Sequence, residues 1–444
     1  MYLTPIATLC YTDYIMTELI NPAIIGILSG LISGCIPGIG NFAALLIIFP
    51  YLIHLEPLQI IILYTALTTI SQYIGSIPAI TFGIPGESSS VPAVIESRNL
   101  KSPQQIYQAI VGSAIGSTFG GIIVLVLTWL LLDWLIYTVH FFNTLVQFSL
   151  YCIVLGAMVF IFKENKYWVN ILLILTGFGI GLIGYEKWTQ TKILTFDNHL
   201  LYQGFPMIVV VIILLGLPEV LKNYSTKVNY KTLDYQPGKI SFNWITSSWY
   251  SLLGFIGGLA PGLTTTMSSQ LAWVDAKSRN TTPVQRIVAS ETANNAGAFS
   301  HLLPLLLLGI PLAGSEALVL GLVESKGFRL DTTTFNDIFV IVGVSLVFLN
   351  MIGLCLAWPL AKHIIKLFQL NIKLMYTFIL IGFCAVIIWV GFLNYQTIYY
   401  VLVALVLLPI AFVVRKLDTM PLIFAFLVHD RMIDAANRLI SLYW

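Results

Sequence analysis

Two apolar runs, residues 373–391 and 396–414, follow one another with no Lys or Arg between 391 and 396. Each has about the 20 residues that a helix needs to cross a hydrocarbon core of about 30 Å. Similar runs recur along the whole chain, and in lipid a spanning segment must satisfy its own backbone, which for runs of this length means α-helix. Composition removes the soluble alternative. Of 444 residues, 58% are hydrophobic and 9% charged, where soluble domains carry about 25% charged residues. Mean hydropathy is +0.89. The reading is an all-α polytopic membrane protein.

The net charge of +2 and basic residues confined to short connections give no basis for a nucleic-acid partner. Cys10, Cys35, Cys152, Cys355 and Cys384 are scattered without a CxxC pair and read as small apolar helix residues. The N-terminus lacks the basic region and cleavage site of a signal peptide, so the mature chain is expected to begin at Met1.

An internal repeat organises the apolar runs. Pro37 and Pro261, each in a Pro-Gly pair, lie 224 positions apart. Pro78 and Pro85 of "SIPAITFGIP" match Pro304 and Pro311 of "LLPLLLLGIP" at 226, and Glu96 matches Glu324 at 228. Offsets that drift so little indicate a duplication, with a first repeat at 1–222, a connection at 223–243 and a second repeat at 244–444. Each copy reads as an apolar stretch broken at Pro-Gly (21–53; 244–275) and a helix running into Gly-Ile-Pro (58–83; 285–309). A short helix (86–97; 313–326), a long helix (104–135; 334–364) and three further apolar segments follow (144–162, 167–183, 204–221; 373–391, 396–414, 419–443).

Loop charges indicate how the copies are oriented, because Lys and Arg collect on the cytoplasmic side. The loop at 54–57 has neither, while its counterpart carries Lys277, Arg279 and Arg286. The loop at 136–143 has none against Lys362, Lys366 and Lys373, and the next pair reverses, with Lys163 and Lys166 against none. A bias that changes sign between copies is what inverted repeats predict. Each repeat then holds a re-entrant Pro-Gly hairpin, a broken helix and about five crossings, with the connection at 223–243 inside. This arrangement puts 16 of the 22 Lys and Arg in inner loops. The segment 419–443, with Arg431 and Arg438, is the most polar of the expected crossings.

A helix broken at membrane depth must use its freed backbone groups or line a protein cavity with them. Half-helix N-termini suit carboxylates, and freed carbonyls suit Na⁺. The site residues expected at the four breaks are therefore Pro37, Gly38, Gly40 and Asn41; Ser76, Gly86, Ser88 and Ser89; Pro261, Gly262, Thr264 and Thr265; and Asn294, Asn295, Gly309 and Pro311. Hydroxyls and amides hold a polyanion or complete a sodium shell at a lower desolvation cost than full charges. The same hydroxyls can instead bond back to their own helices. Glu87 is either an N-terminal cap or a site residue, Glu291 either an ion site or a helix end, and His301 either a titrating or a packing residue. Lys and Arg are absent from all four breaks, so an anion there must be held by dipoles and neutral donors. No HExxH, GxSxG or P-loop pattern occurs, and the histidines form no ligand-spaced cluster, so an enzyme is not expected. A membrane-embedded enzyme and a passive channel remain the rival classes.

The stretches "GLISGCIPGIGNFAALLIIFP", "YIGSIPAITFGIPGESSSV", "SETANNAGAFSHLLPLLLLGIP" and "LTFDNHLLYQGFPMIVVVIILLGLPEVL" together resemble the large permease subunit of tripartite tricarboxylate transporters, the TctA family. The closing "PLIFAFLVHDRMIDAANRLI" is similar too. The resemblance implies an inner-membrane secondary transporter importing citrate or another small carboxylate by alternating access. The coupling ion would be Na⁺ or H⁺, with no other cofactor. Its expected partners are a small membrane subunit and a periplasmic solute-binding protein. The matching positions are Pro37, Gly38, Gly40, Ser76, Pro85, Gly86, Ser89, Pro261, Gly262, Asn294, Asn295, Gly309 and Pro311. Pro311-Leu312 replaces the usual Pro-Gly, "PGLTTT" a more glycine-rich form, and Phe299-Ser300-His301 a run of small residues. These departures leave open a different organic anion, carried without a binding protein.

Overall fold

The computed structural model describes residues 5–35, 40–82, 88–139, 144–161, 165–185, 191–223, 240, 242–259, 265–311, 313–367 and 372–443. The chain begins with α1 (Pro5–Cys35), α2 (Asn41–Ile47), α3 (Phe49–Leu52) and α4 (Pro57–Phe82), then a 3₁₀ turn (Ser88–Ser90) and α5 (Val91–Ser97). The long α6 (Pro103–Leu130) leads to α7 (Leu132–Val139), α8 (Thr144–Ile161) and α9 (Tyr167–Gly181). A two-residue antiparallel ladder joins β1 (Gly184–Tyr185) to β2 (Lys192–Ile193). Then α10 (Met207–Val211) passes through a π-helical turn (Ile212–Gly216) into α11 (Leu217–Asn223). The remaining helices are α12 (Trp244–Leu259), α13 (Thr265–Ser278), α14 (Pro283–Leu308), α15 (Gly314–Ser325), α16 (Thr332–Leu367), α17 (Ile372–Leu393), α18 (Thr397–Val414) and α19 (Met420–Tyr443).

Local chemistry sets several of these ends. Ser102 accepts the Gln105 N–H at 3.3 Å ahead of Pro103, starting α6. Thr282 and Gln285 form a reciprocal capping box ahead of Pro283, starting α14. Six helices among the described residues are long and apolar enough to cross a membrane, within α1, α4, α6, α16, α17 and α18. Six such helices are what a multi-pass membrane protein requires. Helix α14 matches α4 in length at 26 residues, but it carries the polar run Ser290–Asn295 and is not one of the six. Helix α19 is not among them either; it lies along α9, with Gly177 against the Leu422 backbone and Gly181 against the His429 ring.

Lipid supplies no hydrophobic drive between helices, so close backbone approach through small residues carries the packing. Gly26, Gly30 and Gly34 form a ridge on α1 against α4; a Cβ on Gly30 would come within 2.6 Å of the Leu67 carbonyl oxygen and 3.0 Å of Ile70 Cβ. Gly254 and Gly258 do the same on α12 against Ala293 and Gly297 of α14. The long helices cross over: α6 lies on α14 through Gly112, Gly116 and Gly120, and α16 lies on α4. Tyr73 of α4 fills the notch at Gly353 of α16, and Phe299 of α14, 226 positions on, fills the notch at Gly121 of α6. The buried Tyr73 hydroxyl donates to Asn350 Oδ1 at 2.7 Å and meets Thr118 Oγ1 at 2.8 Å. Large apolar side chains such as Trp129, Leu130, Phe348 and Val413 are exposed on the outside, as a lipid-facing surface requires.

Candidate functional site

Polar chemistry inside this apolar bundle concentrates at the middle of α14. Its run Glu291-Thr292-Ala293-Asn294-Asn295-Ala296-Gly297 alternates small residues, which admit α12 and α6, with amides that reach sideways. Successive helix positions are about 100° apart, so the adjacent asparagines diverge. Asn294 Nδ2 donates to Gln72 Oε1 of α4 at 2.7 Å. Asn295 Nδ2 donates to Ser117 Oγ of α6 at 2.7 Å and to the Glu291 carbonyl at 3.1 Å. All three residues of α14 involved are buried.

A small polar cavity lies on the Asn294 side. Ser33 and Gly34 of α1, Ser71, Gln72, Gly75 and Ser76 of α4, Ser89 and Ser90 of the 3₁₀ turn, and Glu291 and Asn294 of α14 form its walls. Its volume is about 10 Å³, at the threshold for one water molecule. The carbonyl of Ser89 accepts the Ser269 hydroxyl of α13 at 2.6 Å, tying this wall to the second half of the chain. Helix α1 ends one residue beyond Gly34, and the 3₁₀ turn begins directly after 83–87. The described flanks of the first two expected breaks thus adjoin the cavity. The third is flanked by Gly257, packed on Ser268, and by Gly258, packed on Ser300; Thr265 Cγ2 and Ser268 Oγ each lie 3.6 Å from where a Cβ on Gly297 would sit.

The lining has a definite polarity. The Asn294 amide nitrogen is engaged, while Asn294 Oδ1 and Ser89 Oγ are buried with no hydrogen-bond partner among the described residues. Buried polar atoms in native proteins are nearly all partnered, so these oxygens suit a cation or a donor group. Other hydroxyls are spent locally: Ser76 bonds the Tyr73 carbonyl, Thr81 the Ile77 carbonyl and Ser33 the Gly30 carbonyl. At the fourth expected break, Gly309 adopts the left-handed region (φ 60°, ψ 34°) and its N–H bonds the Leu305 carbonyl at 2.9 Å, ending α14.

Of the expected site residues, Ser76, Ser89 and Asn294 share the cavity wall. Asn295 points to α6 and Thr265 lies against α14. Gly40 caps α2, which begins at Asn41. Ser88 opens the 3₁₀ turn, and Gly309 and the buried Pro311 close α14. Pro37, Gly38, Gly86, Pro261, Gly262 and Thr264 lie outside the described residues. Sequence reasoning passed over Gln72, although its spacing of four from Ser76 puts both on one helix face.

A second polar cluster joins α5, α13 and α14. The buried Glu96 carboxylate accepts from Trp273 Nε1 at 2.9 Å, Asn99 Nδ2 at 3.0 Å and Arg286 NH1 at 3.3 Å. Burial raises its pKa, but the indole, amide and guanidinium donors together outweigh this and hold the carboxyl below its usual value.

Curated relatives are of similar length. An uncharacterized 52.8 kDa protein of Agrobacterium vitis is 25% identical over 375 residues, 80% of this chain and 74% of the relative. An uncharacterized Methanocaldococcus jannaschii protein, MJ1079, is 24% identical over 408 residues, 89% of this chain and 93% of the relative. No solved structure matches the chain. The sequence profile of the tripartite tricarboxylate transporter TctA family matches residues 20–424, a span that takes in α4, α14 and the whole polar cavity between them. The chain therefore belongs to the TctA family of tripartite tricarboxylate transporters.

Proposed function

We propose that this protein is the membrane permease of an ion-coupled system that imports small carboxylates, tricarboxylates such as citrate among them, by alternating access. The observation that carries the reading is the polar cavity between α1, α4, the Ser88–Ser90 turn and α14, adjoined by the described flanks of two helix breaks. Its unpartnered oxygens suit the coupling cation, and a carboxylate next to it would rest on hydroxyls and on backbone N–H groups freed at the breaks. A cavity of about 10 Å³ is far below the roughly 300 Å³ or more of ordinary small-molecule sites. Substrate entry then requires the elements around it to separate, which is what alternating access supplies.

Inverted repeats are the geometry this mechanism uses. Support comes from the loop charges that change sign between the halves and from the matched contacts of Tyr73 with Gly353 and Phe299 with Gly121. We place the permease in the inner membrane, working with a small membrane subunit and a periplasmic solute-binding protein, as family membership suggests. The test is uptake of radiolabelled di- and tricarboxylates by proteoliposomes, with Na⁺ and pH gradients imposed separately and the partner subunits supplied. Accumulation under either gradient is expected, and its absence under both rejects the reading. Cysteine labelling at 163–166 and at 362–373 should place both connections inside; opposite sides would rule out inversion.

A further inference from the structure

The second half of the chain holds a buried titratable pair that the cavity chemistry does not use. Gly309 ends α14 and lets α15 fold back, which brings Glu316 to His301. Nδ1 of His301 lies 3.0 Å from Glu316 Oε1, and both side chains are at least nine-tenths buried. The other carboxylate oxygen accepts the Ala313 N–H at 3.2 Å. That second contact is ordinary helix capping, which any acceptor would satisfy. The contact with His301 is different, because it requires a proton between nitrogen and oxygen. His301 Nε2 is buried with no hydrogen-bond partner among the described residues, whereas a histidine held for packing alone would have both nitrogens satisfied.

Position gives the pair its meaning. Gly75 and Ser90 line the polar cavity, and 226 positions further on, at the offset that relates Pro78 to Pro304, stand His301 and Glu316. The chain thus carries a titratable pair at the places that in its first half are neutral cavity wall. Among the helices packed around the pair, α12 carries Tyr250, α6 carries Tyr107, and α4 carries Tyr64 and Tyr73. Tyr64 reaches this corner through a 3.0 Å contact with Ser315. The charged groups of α13 are Asp275 and Lys277, α15 also carries Glu324, and α14 carries Arg286 and Glu291 before His301. The further neighbours add Glu96 on α5, Asp133 on α7, and Asp337, Lys362, His363 and Lys366 on α16. Helix α19 carries His429, packed on Phe178, and a polar C-terminal stretch with Asp430, Arg431, Asp434 and Arg438; α2 carries no charged group.

We infer that His301 and Glu316 form a proton-carrying site of the transporter, which binds a proton on one side of the membrane and releases it on the other. The only bond made and broken is N–H at the imidazole. With His301 neutral, the pair leaves one negative charge buried in the bundle; protonation converts it to a neutral ion pair, so proton occupancy changes the electrostatic cost of moving these helices. The coupling consequence rests on the import reading above, whereas proton binding by the pair does not.

The experiment uses the full chain with its partner subunits in proteoliposomes, radiolabelled citrate as probe, and equal Na⁺ on both sides. A gradient of about one pH unit sustains about tenfold accumulation per proton carried. Wild type is expected to reach this, while H301N and E316Q lose gradient-driven accumulation but retain citrate exchange, and E316D restores part of the coupling. Accumulation that persists in both variants overturns the site, and so does a wild type driven by Na⁺ alone, which leaves the import reading intact. If wild type moves no citrate, the import reading fails, and the pair is judged by exchange of the histidine ring C–H, followed by mass spectrometry. The exchange of His301 should then depend on pH through one step, and E316Q should displace that step. No step, or an undisplaced one, overturns the site.

Discussion

Replacing Gly30 by Ala tests whether close backbone approach holds the α1–α4 pair together. The new Cβ would sit 2.6 Å from the Leu67 carbonyl oxygen, about 0.8 Å short of the 3.4 Å at which ordinary contact begins, and 3.0 Å from Ile70 Cβ. The obstructing oxygen is backbone, so no rotamer change relieves it and α1 must lift. A gap of that size forfeits a quarter to a half of each contact; over roughly 50 atom pairs at about 0.15 kcal/mol, the loss is about 2–4 kcal/mol. Partial relaxation brings this toward the cost typical of overpacking, about 1–3 kcal/mol. Helix propensity opposes the loss, because Ala is favoured over Gly by about 1 kcal/mol. The two loss ranges overlap at about 2–3 kcal/mol, so the net expectation is destabilisation by about 1–2 kcal/mol, read from reversible unfolding in mixed micelles. Gly179 of α9 is the control, since a Cβ there meets nothing within 4 Å; G179A should be neutral or slightly stabilising. If G30A is as stable as wild type, or if both variants gain equally, propensity governs and the packing account is wrong.

Three other substitutions probe separate features. Tyr73→Phe removes the hydroxyl that joins α4 to Asn350 and Thr118; membrane hydrogen bonds average about 0.6 kcal/mol with an upper end near 1.7, so this change should cost less than G30A in the same assay. Gly309→Ala forces a side chain into the left-handed cap at φ 60° and should cost about 1–2 kcal/mol, with no gain from the smaller flexibility of the unfolded chain large enough to reverse the sign. Glu96→Gln weakens the clamp between α5, α13 and α14. Because the Glu96 carboxyl is held below its ordinary value of 4.5, its stabilisation is complete above that value and is lost as pH falls through its lower folded value. Wild type and E96Q should therefore differ by a constant amount at neutral pH and converge only as pH falls below 4.5; a gap that closes between neutrality and pH 5 would contradict the assignment.

The match between sequence segments and helices is close because both follow from local causes. Apolar run lengths, Pro at first-turn positions (Pro103, Pro283) and cap residues (Ser102, Thr282) act within a few residues of where they stand, so the expected 58–83 and 285–309 appear as Pro57–Phe82 and Pro283–Leu308. The expected helix at 104–135 instead divides at Leu131 into α6 and α7, a detail that apolar periodicity does not register. The polar C-terminal segment forms a full helix whose place along α9 depends on the glycines at 177 and 181.

The cavity was only partly legible. Ser76, Ser89 and Asn294 were marked by their polarity in apolar surroundings, but polarity alone also marked Asn295, which bonds Ser117 of α6, and Thr265, which lies against Gly297. Which amide of the adjacent pair faces Gln72 depends on the rotation of α14 against α4, and the contacts that fix it include Gly112 with Val288 and Gly116 with Thr292, each 176 positions apart in sequence. The pairing of His301 with Glu316 has the same origin. Sequence alone placed a lone histidine in an apolar helix; the left-handed turn at Gly309 and the fold-back of α15 gave it a carboxylate. Hydrophobicity and turn chemistry are written residue by residue, and so the sequence by itself determined the membrane class and the helices. Which polar groups meet is a property of how whole helices rotate and cross, and only the tertiary structure decided it.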